Sequence, residues 1–223
     1  MREPHPVPEA VVQLAAGNVL LEGNLVMPEG AVGMVLFAHG SGSSRHSPRN
    51  RVVAQALRRA GLGTLLFDLL SAEEESIDLR TTHFRFDIAL LAERLVYAVD
   101  WMAKRGEAGK LPMGLFGAST GAAAALLAAA RRPELVRAVV SRGGRPDLAG
   151  QALAEVRAPT LLIVGGDDSP TLELNQQALG RLRFEKRLEI VPGATHLFEE
   201  PGALDEVSRL AGEWFQQKLK TER

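Results

Sequence analysis

A serine set between two glycines, Gly117-Ala118-Ser119-Thr120-Gly121, fits the pattern G-x-S-x-G. The pattern alone is weak, and its setting gives it weight. It directly follows the apolar run Met113–Phe116 and directly precedes the helical stretch Ala122–Ala130. A nucleophile elbow needs this strand–turn–helix arrangement, in which the serine sits on a tight turn at the head of a helix. Flanking glycines fit because a β-carbon at either place would collide with the neighbouring strand or helix. The competing reading is a glycine-rich turn with a serine helix cap.

A serine hydroxyl at neutral pH needs an adjacent base, usually a histidine held by a carboxylate. Of the five histidines, His5 lies in the N-terminal tail and His39 closes the third expected strand, where it shapes a loop. His46 and His83 fall in loops on the same edge of the sheet and can line a pocket. His196, in Gly193-Ala194-Thr195-His196-Leu197, follows the last expected strand, where the chain order Ser…Asp…His puts the base. The carboxylate belongs after the penultimate strand, and Asp167 and Asp168 both stand there. The Gly-x-x-Asp spacing from Gly165 favours Asp168, and either aspartate can also cap the next helix.

The elements that must position these groups alternate regularly. Strands are expected at Val11–Ala15, Val19–Met27, Val32–Ala38, Thr64–Phe67, Met113–Phe116, Ala138–Ser141, Thr160–Val164 and Arg187–Val191. Helices are expected at Pro48–Ala60, Phe84–Arg105, Thr120–Arg132, Asp147–Glu155, Thr171–Leu182 and Leu204–Leu219, with Asp68–Thr82 as a charged loop. The first two strands, joined by Ala16-Gly17-Asn18, form an antiparallel pair. The rest implies an α/β fold: a mostly parallel eight-stranded sheet with helices on both faces. The 223 residues suit a single domain, with residues 1–10 as a mobile or extended N-terminal segment.

Charged residues make up 24% of the chain and nearly cancel, leaving a net charge of -1. That balance gives no general reason to bind nucleic acid or an anionic membrane. The absence of cysteine rules out disulfides, thiolate metal sites and a thiol nucleophile. No cofactor or metal is expected. The start MREPHPVPEA has no apolar signal region and no apolar run is long enough to span a bilayer, so the expected location is cytoplasmic. A homo-oligomer is compatible with the sequence.

From about Val19 to Phe215 the chain resembles the dienelactone-hydrolase-like branch of the α/β-hydrolases. The resemblance is carried by the segment His39–Asn50, by Leu66-Phe67-Asp68-Leu69-Leu70, by Arg85-Phe86-Asp87-Ile88, by the Ser119 elbow, by Gly165-Gly166-Asp167-Asp168 and by Gly193-Ala194-Thr195-His196. It implies the α/β-hydrolase fold and a Ser119–Asp168–His196 triad. Dienelactone hydrolases proper use a cysteine nucleophile where this chain has serine, so activity on a dienelactone is not carried over. The His39–Asn50 segment is similar to an uncharacterised subgroup, some of whose members carry a fused phosphoribosyltransferase domain that this sequence does not contain.

In such folds the oxyanion hole combines the N–H after the nucleophile, here Thr120, with one from the loop after the third strand, for which Ser41 is the candidate. That glycine-rich loop lacks the Gly-Lys-Ser/Thr ending of a phosphate-binding P-loop. Arg45, His46 and Arg49 lie just beyond it and admit two readings: a solvated basic edge, or a grip on a carboxylate or phosphate of the substrate. Glu73-Glu74-Glu75 reads as a solvated run able to pair with those arginines, and Arg85 with Asp87 as a local pair. Arg142–Pro146 is too short to hold a lid domain, so an open pocket for small acyl substrates is expected. The expected function is a serine hydrolase of small esters or lactones. An acyltransferase using the same triad, or a non-catalytic binding protein of this fold, are the alternatives.

Overall fold

The computed structural model describes residues 8–220. Eight strands form one sheet in the order β1-β2-β4-β3-β5-β6-β7-β8. The antiparallel pair β1 (Glu9–Ala16) and β2 (Val19–Val26) docks antiparallel onto β4 (Gly63–Phe67). All remaining neighbours, β3 (Met34–Ala38), β5 (Met113–Ala118), β6 (Val136–Arg142), β7 (Thr160–Gly165) and β8 (Lys186–Val191), pair in parallel. Every residue of β3, β4, β5 and β7 is buried, which accounts for their near-continuous apolar sequence.

Helices cover both faces. α1 (Pro48–Arg59) and α6 (Ala203–Lys218) bury Val53, Leu57, Val207, Trp214 and Phe215 on one side of the sheet. α3 (Ile88–Ala103), α4 (Thr120–Arg131), α5 (Ser169–Arg181) and the 3₁₀ stretch Pro146–Glu155 pack on the other, over Leu95, Val99, Leu126 and Leu153. The alanine run of α4 is buried along nearly its whole length, and its small side chains let it lie close to the sheet.

The eight expected strands are all present. The expected loop Asp68–Thr82 instead holds α2 (Ala72–Thr81). Its start is a capping box: Ser71 Oγ accepts the Glu74 N–H while the Glu74 carboxylate accepts the Ser71 N–H. The acidic triplet is thus the first turn of a helix, with Glu74 paired to Arg94 and Glu73 exposed. The helix expected from Phe84 begins at Ile88, capped by Asp87, whose side chain accepts the Leu90 N–H. Arg85 pairs with buried Asp78 and not with Asp87. Of the N-terminal segment, Glu9 and Ala10 belong to β1 and residues 1–7 lie outside the described residues.

Candidate active site

The chain folds outward in both directions from the centre of the sheet: β3 leads through α1 to β4 on one side, and β5 starts the run to the other. Ligands of open α/β sheets bind at the carboxyl ends of the strands at such a switch point. A cavity of about 250 Å³ lies there, lined by residues that include Ser41, Arg49, Ser119, Arg142 and His196.

Ser119 follows β5 directly and has φ 51° and ψ −122°, a backbone conformation that side chains rarely adopt. The turn is held from both sides. Its N–H donates to the Arg142 carbonyl at 3.2 Å, and its carbonyl accepts the N–H groups of Ala122 and Arg145. A β-carbon on Gly121 would stand 2.2 Å from the Ala38 carbonyl oxygen, and one on Gly117 2.4 Å from Ala122 Cα. Glycine at both places lets α4 start against β3, which puts Ser119 at the cavity wall.

Asp168 follows β7 as the N-cap of α5, its Oδ1 accepting from Thr171 N–H at 3.4 Å. Its other oxygen, Oδ2, lies 2.7 Å from His196 Nδ1. Burial alone would raise its pKa, but the hydrogen bonds from Thr171 and His196 outweigh this and hold the carboxyl below the usual range. Asp167 is exposed, and its N–H is tied to the Ala194 carbonyl at 2.9 Å. One aspartate therefore both caps the helix and holds the histidine. With Nδ1 committed to Asp168, His196 keeps Nε2 for the cavity it shares with Ser119. Among the described residues the Ser119 hydroxyl makes no hydrogen bond to His196; such contacts commonly tighten only when substrate binds.

Ser41 and Thr120 are brought together, though not as two free donors. The Ser41 N–H donates to Thr120 Oγ1 at 2.9 Å. The Thr120 N–H, in the first turn of α4, has no carbonyl four residues back to donate to. Behind this loop, buried His39 places Nδ1 2.9 Å from the Gly40 carbonyl and accepts the Leu69 N–H on Nε2 at 3.1 Å. Burial lowers its pKa, so the ring is neutral and acts as a strut.

The basic cluster splits. Arg45 does not reach the Ser119 cavity: it pairs with Asp68 and with Glu22, and lines a neighbouring hollow. These two carboxylates, not Glu73–Glu75, anchor it. His46 is exposed, and His83 is exposed with its ring against Phe84; neither lines the cavity. Arg49 does line it, with one Nη bonded to Glu199 at 3.1 Å. The sequence reading missed Arg142. A buried charged residue ending a central strand at the carboxyl edge of the sheet was the available signal.

No helix among the described residues is long and apolar enough to cross a membrane.

The family profile for the alpha/beta hydrolase fold matches residues 33–158. A crystal structure of dienelactone hydrolase from Anabaena variabilis is 62% identical with a TM-score of 0.95, covering 97% of this chain and 100% of that one. An esterase from Pyrococcus furiosus shares the fold at 18% identity and a TM-score of 0.75, covering 96% of this chain and 94% of that one. In Mycobacterium tuberculosis, a protein provisionally named a phosphoribosyl transferase is 57% identical over 214 residues. That match takes in 96% of this chain and 47% of the relative, so the chain spans about half the length of the curated relatives it matches. The chain belongs to the α/β-hydrolase family, in its dienelactone-hydrolase-like branch.

Proposed function

We propose that this protein is a serine hydrolase that cleaves small carboxylic esters or lactones through an acyl-enzyme on Ser119. The observation that carries the reading is the pairing of an elbow serine with a His196–Asp168 couple around one cavity. Attack by Ser119 Oγ on the acyl carbonyl passes its proton to His196 Nε2. Asp168 stabilises the imidazolium and keeps its Nδ1–H directed. The carbonyl oxygen gains negative charge beside the Thr120 N–H, with Ser41 N–H as second donor by sharing its bond to Thr120 Oγ1. Collapse expels the alcohol, which takes the proton from His196. Water then repeats the sequence, losing a proton to His196 and attacking the acyl carbonyl, and the acid leaves as Ser119 regains its proton. The oxyanion donors Ser41 and Thr120 thus serve both halves of the cycle.

The 3₁₀ stretch Pro146–Glu155 between β6 and β7 packs against α4 and α5 and does not line the cavity, which favours small, soluble acyl groups. Acyl transfer to an acceptor other than water would use the same steps with a different second nucleophile. A panel of short-chain ethyl esters and small lactones, followed by pH-stat titration, tests the reading. Turnover of at least one class is expected, falling on the order of 10⁴-fold or more in Ser119→Ala. Wild-type turnover in that variant would refute it.

A further inference from the structure

The cavity that Ser119 and His196 share holds two positive charges and too few partners for them. Arg142 is only 7% exposed, yet its Nε and Nη1 have no hydrogen-bond partner within the protein. Its sole contact of that kind is a long one, 3.5 Å from Nη2 to Asn50 Oδ1. Arg49 contributes a second buried and unpartnered Nε from the same wall. Among the described residues no carboxylate pairs with Arg142, although most other buried or half-buried arginines have one. Burial, reinforced by the charge of Arg49, presses the Arg142 pKa down to about 10, so it still carries its proton at neutral pH.

A buried cation without a counterion is costly, and folds keep one where a ligand supplies the missing charge. Two further features fit an anion. Arg142 ends β6 beside the elbow, its own carbonyl accepting the Ser119 N–H, so its backbone is tied directly to that of the nucleophile. In the same cavity, Ser47, Arg49 and Asn50 come from the start of α1, a twelve-residue helix whose N-terminus favours negative charge.

Resting on the hydrolase reading above, we propose that Arg142 and Arg49, with the N-terminus of α1, bind an oxyanionic group, carboxylate or phosphate, of the ester that Ser119 cleaves. Arg142 is then a specificity-determining residue, orienting the substrate by parallel hydrogen bonds from its fork.

The test compares kcat/KM for monoethyl succinate with ethyl butyrate, and for 2-acetoxyethyl phosphate with propyl acetate. These pairs separate a carboxylate on the acyl side from a phosphate on the alcohol side. At least one anionic ester should exceed its neutral partner. That ratio should fall roughly 10- to 100-fold in Arg142→Met, and less in Arg142→Lys and Arg49→Gln. Melting of ligand-free Arg142→Met separates this from a structural role: relief of an unpaired buried charge leaves the melting temperature equal or higher, whereas loss of a strut lowers it. Calorimetry with succinate and with inorganic phosphate on Ser119→Ala reads the site without turnover. Binding of one of them is expected, weakened tenfold or more by adding Arg142→Gln. If no ester is cleaved but an anion binds through Arg142, the hydrolase reading fails and the anion site stands. Ratios unchanged within twofold in every variant, together with no anion binding, would overturn the site.

Discussion

Asp168 Oδ2 lies 2.7 Å from His196 Nδ1, while its other oxygen caps the helix that begins one residue later. The helix cap fixes the carboxylate, and the carboxylate fixes the ring. Asp168→Asn should therefore lower kcat about 10³- to 10⁴-fold by leaving His196 in the wrong tautomer. Exposed Asp167, engaged only through its backbone, should tolerate the same change with less than a fewfold loss. Steady-state kinetics on a short ester, with circular dichroism as a check on folding, distinguish the two. A severe Asp167→Asn with a mild Asp168→Asn would reverse the assignment.

Gly165 decides how close the histidine loop can come. A β-carbon there would lie 2.3 Å from the Ala194 carbonyl oxygen and 2.7 Å from that of Thr195. Gly165→Ala should push this loop away from Asp168, lower kcat at least tenfold and destabilise the fold by about 1–3 kcal/mol. Gly166→Ala meets its nearest atom at 3.3 Å and should be milder on both counts. Equal rates in the two variants would show that the loop position does not matter.

His39 makes a pH-dependent contribution to stability. Its folded pKa lies below the unfolded value of about 6.5 because burial excludes the charged ring. A depressed pKa means that the stabilisation is fully present above about pH 6.5. It is lost as the pH falls below that value toward the folded pKa, where the unfolded chain takes up a proton that the native ring refuses. Urea melts from pH 8 to pH 5 should show this decline. His39→Asn should be less stable at pH 8 but decline less steeply below pH 6.5. An unchanged slope would place the titrating group elsewhere.

Much of this was legible before any coordinates, for a physical reason. Strands β3, β4, β5 and β7 are buried on both faces and so write themselves as apolar runs, and Gly117, Gly121 and Gly165 mark places where two segments of the backbone touch. Ser119 and Asp168 stand where they were expected because each follows such a run, and His196 because it follows the last strand in the order Ser…Asp…His. What the sequence hid were relationships that depend on side-chain reach across the fold. Arg45 was weighed as a pocket residue, yet it turns to Asp68 and Glu22, 23 residues away in opposite directions along the chain. Arg85 bypasses neighbouring Asp87 for Asp78, and α2 shows little apolar periodicity because it buries only Asp78. Arg142 escaped notice because its isolation from carboxylates can be seen only when the elements around it are assembled.

The most direct measurement is covalent. A fluorophosphonate bonds to a serine only where the hydroxyl is activated and the new phosphonyl oxygen is stabilised. Incubation with such a probe, proteolysis and mass spectrometry should find one adduct, on the peptide containing Ser119. The adduct should be absent in Ser119→Ala and formed at least 10²-fold more slowly in His196→Ala. A folded wild-type protein that takes no label at Ser119, or takes it equally well without His196, would contradict the serine–histidine mechanism.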